Sequence, residues 1–266
     1  MKTIPYGLKI TLILLVALFS FAFFFSKPVI IQDPSYHGFI DDRVFFGIPN
    51  AMDVLSNIFF LIAGFLGVRE ILGQKSLLSR RSWFWFFMSI ILVAPGSAYY
   101  HWSPDNSTLV WDRLPMSMGF MALYTLLLTE HISLKFEKWL PLAIFMGISS
   151  VITWVVSSDL RFYYWIQFSS FVTIPIILLL FPSRFSRKYW YLVALLIYGA
   201  AKWAEVKDSE IFYATHEFMS GHTLKHILAA IGLTFLWWMV RTREERSVAI
   251  TSRGVTDTTL KLQKTL

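Results

Sequence analysis

Eight apolar segments, each close to the length of a membrane-spanning helix, divide this chain of 266 residues. They run over residues 8–26, 51–72, 82–101, 113–130, 138–157, 161–181, 189–204 and 219–241, and the fourth and seventh are the least apolar. A helix needs about 20 apolar residues to cross the hydrocarbon layer of a bilayer. Charged residues make up 15% of the chain, against about 25% in soluble domains. The sequence therefore predicts an all-α integral membrane protein with about eight spans.

The basic residues predict the direction of these spans. Seventeen Lys and Arg residues fall on the side that holds both termini, and six fall on the opposite side. In membrane proteins the excess of Lys and Arg lies in the cytoplasmic loops, so both termini are predicted to be cytoplasmic. This distribution also explains the net charge of +7, which therefore does not indicate a nucleic-acid partner.

Three regions follow from the same pattern. Residues 1–32 are predicted to form a membrane anchor helix, because the first apolar run ends in FAFFFSKP and lacks the small-residue site at which signal peptides are cleaved. A removed signal peptide is the alternative. Residues 33–243 would form the main transmembrane domain, and residues 244–266 a basic cytoplasmic tail.

Three histidines stand at the ends of apolar segments, where ionisable groups are costly to bury. His101 ends the third segment in GSAYYH, and His222 and His226 begin the last segment in GHTLKH. The last two are four residues apart and so share one helix face. In the predicted topology all three lie on the same side of the membrane. Because the chain has no cysteine, three imidazoles favour a zinc site with one position open for water. Histidines that bond to water or carbonyl groups at helix ends are the alternative.

Two further polar residues lie beside this predicted site. Ser97 precedes His101 by one helical turn, and Asp112 opens the next apolar segment in WDRLP. A carboxylate here suits a second-sphere partner of a histidine or a base for the zinc-bound water. Ser97 is suited to donate to a substrate oxygen, or alternatively to bond back to its own helix.

A second polar cluster lies in DDRVFFGIPNAMDVLSN, and it contains Asp41, Asp42, Asn50, Asp53, Ser56 and Asn57. Oxygen ligands of this kind can bind a hard cation such as Ca²⁺. Helix capping is the alternative, and we favour it for Asp53, because an acidic residue near a helix N-terminus is stabilised by the helix dipole. The charged group of Lys202, Glu205 and Lys207 is predicted to pair internally or with Asp112.

The motifs NAMDVLSN, SxxxH, WDRLP and HxxxH occur in this order across residues 36–243. In their order and spacing the chain resembles the alkaline ceramidase family, especially its bacterial members, in a superfamily that includes PAQR receptors and Per1-like proteins. The resemblance implies a seven-helix bundle with an extra N-terminal span in a bacterial inner membrane. It implies zinc on His101, His222 and His226, assisted by Ser97 and Asp112. It also implies hydrolysis of a ceramide-like lipid amide to a sphingoid base and a fatty acid.

Several alternatives stay open beside this resemblance. Eukaryotic members place an acidic residue where this chain has Asn50, which weakens the expectation of a calcium ion on Asp41, Asp42 and Asn50. Another lipid amide or ester is an alternative substrate. A lipid-binding receptor with a structural zinc is the alternative function, and the absence of internal repeats argues against a transporter.

Overall fold

The computed structural model describes residues 4–74 and 77–245, and these residues form an all-α protein. Its helices are α1 (Tyr6–Phe25), α2 (Ala51–Leu55), α3 (Ile58–Gly73), α4 (Arg80–Trp102), α5 (Asn106–His131), α6 (Leu140–Ser157), α7 (Arg161–Leu180), α8 (Tyr189–Val206), α9 (Asp208–Ala214) and α10 (Gly221–Thr242). Short 3₁₀ helices at Pro34–His37 and Leu134–Trp139 precede α2 and α6. The predicted cytoplasmic tail falls almost entirely on residues 246–266, outside the described residues.

Each of the eight predicted segments corresponds to helical structure, but not all of them are apolar enough to indicate a membrane span by composition. Within residues 4–74 and 77–245, six helical segments are long and apolar enough to cross a membrane: Tyr6–Phe25, Ala51–Gly73, Arg80–Trp102, Leu134–Ser157, Arg161–Leu180 and Gly221–Thr242. The two that fall short, α5 and α8, are the fourth and seventh predicted segments. Both carry charged residues, among them Arg113 and Glu130 in α5 and Glu205 in α8. The six apolar segments indicate an integral membrane protein, while a count of seven or eight spans is not confirmed.

The helices pack around α5, which explains its polar composition. Helix α5 contacts α4, α6 and α7, and 15 of its 26 residues are buried. Its polar side chains therefore face other helices, as polar residues in membrane bundles generally do. On the other flank α10 packs between α3 and α8, while α3 packs on α4. Helix α1 is mostly exposed and lies at the periphery against α7.

Two glycines allow helices to approach closely beside the predicted site. A Cβ atom at Gly96 would collide with the carbonyl oxygen of Trp111, and one at Gly221 with the carbonyl oxygen of Ala204. Gly96 therefore lets α4 lie directly against the start of α5. In the same way, Gly221 lets the start of α10 lie against the end of α8. Both glycines immediately precede a candidate site residue, in the sequences GS and GH.

The predicted segment 51–72 is interrupted near the candidate site. It begins at Asn50, whose backbone is left-handed (φ 44°), and it divides into α2 and α3 at Ser56 and Asn57. The Asn57 side chain donates to the carbonyl oxygen of Asp53 at 2.8 Å. This local competition with helical hydrogen bonds is typical of asparagine. The interruption allows Ser56 to contact α10.

Candidate metal centre

The three histidines converge, as the sequence predicted. His101 lies at the end of α4, and His222 and His226 lie in the first two turns of α10. Their ligand nitrogen atoms all lie within 4.8 Å of one another, and all three side chains are buried. The Nε2 atoms of His101 and His222 are 3.2 Å apart. This group has the size and chemistry of a three-histidine metal site.

The start of α10 is held in place by hydrogen bonds at its N-terminus. Ser220 caps the helix, since its hydroxyl accepts from the backbone N–H of Thr223 at 3.0 Å. The backbone N–H of His222 donates to the Asp208 carboxylate at 2.7 Å. Free N–H groups in the first turn of a helix need such partners. The cap therefore fixes the first turn, and the four-residue spacing places His226 above His222 on the same face.

The hydrogen bonds of Ser56 define which nitrogen of His226 faces the cluster. Its hydroxyl donates to the carbonyl oxygen of Asp53 at 3.0 Å and lies 2.8 Å from Nδ1 of His226. A serine hydroxyl has one proton, so while Ser56 donates to Asp53 it accepts from His226, and the ring hydrogen is then on Nδ1 of His226. The lone pair of Nε2 is then available to a metal ion. Metal-binding histidines usually have such a partner on the second nitrogen, which supports the fit of this site to a metal.

His222 also presents a nitrogen lone pair. The ammonium group of Lys225 lies 2.7 Å from its Nε2 atom, and an ammonium can only donate. Among the described residues, His101 Nδ1 is buried without a hydrogen-bond partner. Nitrogen ligands in a chain without cysteine fit zinc well. The three histidines are therefore consistent with zinc, although imidazoles alone do not identify the metal.

Asp53 lies in the first turn of α2, as the capping interpretation expected, but its carboxylate bonds to another helix. Oδ1 accepts from the hydroxyl of Thr223 at 2.5 Å and from that of Ser220 at 3.4 Å. Neither Asp53 nor Asn50 makes a side-chain cap on α2. Asp53 therefore joins α2 to the N-terminus of α10, the helix that carries His222 and His226.

The residues predicted to bind calcium have other contacts. Both carboxylate oxygens of Asp41 lie 2.6 Å from the Arg43 guanidinium group. The side-chain amide of Asn50 donates to the carbonyl oxygen of His101 at 2.8 Å. These contacts satisfy the polar groups of Asp41 and Asn50 without a cation. They do not include Asp42, so they do not place the three residues in one site. Calcium binding on these three residues stays a prediction.

Ser97 and Asp112 open into the same cavity as His226. This cavity lies between α4, α5, α7, α8 and α10 and has a volume of about 280 Å³. Its wall away from the histidines is apolar and includes Phe86, Ile90, Leu123, Phe171, Ile174, Leu233 and Leu236. The predicted positions of Ser97 and Asp112 near the histidines are therefore compatible with the fold.

The charged group at the end of α8 pairs internally only in part, and it makes no ion pair with Asp112 among the described residues. Glu205 forms ion pairs with Lys202 and with Lys225, while Lys207 pairs with Glu210. Lys225 was not predicted to belong to this group. Its position between two candidate ligands in GHTLKH is the sequence signal for it, because i and i+3 positions on a helix are neighbours.

Neither a scan against models of known protein families nor a search of curated proteins finds a match for this chain. The resemblance to the alkaline ceramidases therefore depends on the four motifs alone. What the fold adds is that two of these motifs, SxxxH and HxxxH, bring their histidines to one buried point. The function must be argued from this site.

Proposed function

We propose that this protein is a zinc-dependent hydrolase that cleaves the amide bond of a ceramide-like membrane lipid. The convergence of three buried histidines beside a cavity that also exposes Ser97 and Asp112 carries this proposal. Zinc would be held by His101, His222 and His226, where it would polarise a carbonyl group and lower the pKa of water.

The remaining residues of the site have separate roles in this proposal. Asp112 takes a proton from the attacking water and delivers it to the leaving nitrogen, as a positioned carboxylate can. Ser97 donates a hydrogen bond to the carbonyl oxygen as negative charge develops there. A carbon–oxygen bond forms, the carbon–nitrogen bond breaks, and the products are a fatty acid and a lipid amine.

The shape of the cavity suits a lipid. From His226 to Leu236 the wall follows α10 for ten residues, a length of about 15 Å, which is enough for much of an acyl chain. Helix α8 packs on α10 and meets α7 through side chains such as Phe171 and Tyr198, whose ring centroids are 4.7 Å apart. A lipid would enter sideways from the bilayer if this contact between α7 and α8 separated.

The proposal is tested by measuring fatty acid released from a panel of lipid amides and esters by the purified protein. We expect release from an amide, loss of release with a chelator, and recovery when zinc is added back. A control incubation with Mg²⁺ in place of zinc should not restore it. Release that is insensitive to the chelator, or no release from any lipid, would contradict the proposal.

We also propose that α5 and α8 cross the membrane, with both termini in the cytoplasm of a bacterial cell. Their lengths of 26 and 18 residues and the distribution of Lys and Arg support this arrangement. Because the chain has no cysteine, single cysteines at Ser107 and Leu78 can be labelled in intact cells. Ser107→Cys should react from outside and Leu78→Cys only after permeabilisation; the reverse pattern refutes the orientation.

A further inference from the structure

Positive charge exceeds negative charge among the described side chains that line the cavity. Three basic side chains line the cavity, Arg113, Lys202 and Lys225, with two acidic ones, Asp112 and Glu205. A divalent metal ion on the histidines would raise this excess further. Charge in a partly buried site is costly unless it is paired. A neutral lipid would leave the excess unpaired, whereas an anionic lipid would neutralise it.

The two lysines share a single carboxylate. Lys225 Nζ lies 3.0 Å from Glu205 Oε1, and Lys202 pairs with the other oxygen of the same group. Each ammonium group has three donors, so one carboxylate does not satisfy both. The contact between Lys225 and His222 Nε2 is available only while this nitrogen does not bind a metal. With a metal bound, Lys225 has a donor free for the substrate.

Arg113 adds a third donor group. Its side chain is 4% exposed and lies over Trp154, with the guanidinium carbon 4.5 Å from a ring centroid. Nη2 donates to Gln32 Oε1 at 2.6 Å, whereas Nη1 has no hydrogen-bond partner among the described residues. Aromatic contacts hold the guanidinium in place without neutralising it. A buried donor without a partner is costly and therefore suggests a ligand.

We propose that Arg113, Lys202 and Lys225 bind an anionic group, a carboxylate or a phosphate, on the amine side of the substrate. The acyl chain occupies the apolar part of the cavity toward Leu236, so the amine portion lies at the basic end. The substrate class is then an N-acyl amino acid or an N-acylated phosphoamine rather than a neutral ceramide. This inference rests on the proposed function for the amide, but the anion site can be tested by binding alone.

Two probes isolate the charge. N-palmitoylglycine and N-palmitoylethanolamine have the same acyl chain and amide bond, and differ in a carboxylate against a hydroxymethyl group. We expect a kcat/KM about 10- to 100-fold higher for the glycine compound, as for hydrogen bonds to a charged group. N-palmitoylphosphoethanolamine then distinguishes phosphate from carboxylate, and preference for either anion over the neutral amide supports the site.

Variants identify the residues. Lys225→Gln and Arg113→Gln should each reduce the preference for the anion about tenfold, with zinc content measured in parallel. Lys202→Gln provides a second test at a half-exposed position, where folding is least affected. Lys207→Gln is the matched control, since Lys207 is exposed and pairs with Glu210. An unchanged preference in all three cavity variants would overturn the proposal.

Equilibrium binding of the two probes to the zinc-loaded Asp112→Asn variant, in which turnover is expected to be slow, separates this inference from the proposed function. Tighter binding of N-palmitoylglycine, weakened in Lys202→Gln, supports the anion site even if no lipid is hydrolysed. Hydrolysis of both probes at equal rates, with equal binding, refutes the anion site and leaves the hydrolase intact. Stronger binding of the neutral amide also refutes the anion site.

Discussion

Helix α10 joins two buried polar clusters that differ in their balance of charge. His222 and His226 lie at its start, and Arg243 follows its last residue. About twenty residues separate the clusters, a distance of about 30 Å along a helix, which matches the thickness of the hydrocarbon layer. One cluster has the features of a structural ion pair, and the other has those of a binding site.

The cluster at Arg243 is a neutralised network. The Glu130 carboxylate accepts two hydrogen bonds from the Arg243 guanidinium group, each 2.8 Å long. It also accepts from Ser79 at 2.6 Å, Trp83 at 2.9 Å and Tyr191 at 3.1 Å. One negative and one positive group are paired, both are almost fully buried, and neither lines the large cavity. Such a pair links the ends of α5 and α10.

The cavity beside the histidines is lined by three basic and two acidic side chains among the described residues. Individual buried atoms without partners occur at both ends of the bundle, such as Arg243 Nε and His101 Nδ1 among the described residues. The unpaired atom alone is therefore a weak indicator of function. Charge imbalance beside empty space is the stronger indicator, because the folded chain alone does not compensate for it.

The largest expected effect is the loss of zinc in His222→Ala. We expect about one zinc per chain in the wild type and almost none in this variant, because two protein ligands hold the ion poorly. His216→Asn is the matched control, since His216 is exposed and lies outside the cluster, and asparagine tolerates its left-handed backbone. Elemental analysis checks this result. Equal zinc in wild type and His222→Ala would show that the histidine cluster is not a metal site, and it would then not differ in function from the Glu130–Arg243 cluster.

The next effect concerns Asp112, whose proposed role is proton transfer. Asp112→Asn keeps the shape of the side chain but removes the base, so kcat should fall about 10²- to 10⁴-fold. Zinc content and thermal stability should change little. Asp105→Asn is the control, because asparagine also caps the start of α5. A receptor with structural zinc predicts no turnover in the wild type, and a loss of zinc or stability in Asp112→Asn.

At the opposite end the expected effect is on stability. Arg243→Met leaves the buried Glu130 carboxylate without its counter-charge, which costs about 3–5 kcal/mol of unfolding free energy. The folded fraction should keep its zinc. Thermal unfolding in detergent measures the loss, with the exposed Arg241→Met as control. If Arg243→Met lost zinc but kept its stability, the assignment of this pair to the fold would be wrong.

Helical periodicity was sufficient to predict part of this molecule. Residues four apart share a helix face, so the pairs Ser97–His101 and His222–His226 could be placed before the fold was known. The all-α class is confirmed for the same reason, since long apolar runs fold as helices in a membrane. The span count is not confirmed at α5, because hydropathy does not record whether a polar side chain faces lipid or protein.

Contacts between distant residues could not be predicted. Glu130 and Arg243 are 113 residues apart, and in the sequence Arg243 is only one of the seventeen Lys and Arg residues on the side of the two termini. Ser56 and His226 are 170 residues apart. Their contact depends on the interruption between α2 and α3. The sequence predicted one continuous segment over residues 51–72 and therefore did not predict this interruption. Ser56 is therefore the residue at which the structure adds most to the predicted metal site.

The smallest effect we predict tests this contribution of Ser56. Ser56→Ala removes the hydroxyl that accepts from His226 Nδ1 at 2.8 Å. Loss of a second-sphere partner typically lowers metal affinity about 10- to 100-fold, so zinc should still bind but should be removed by a weaker chelator. Ser150→Ala is the control, because this buried serine bonds only to its own helix, at the Gly147 carbonyl oxygen. Competition with chelators of graded affinity measures the change. Equal zinc affinity in Ser56→Ala and wild type would show that Ser56 contributes only to the interruption between α2 and α3 and not to metal binding.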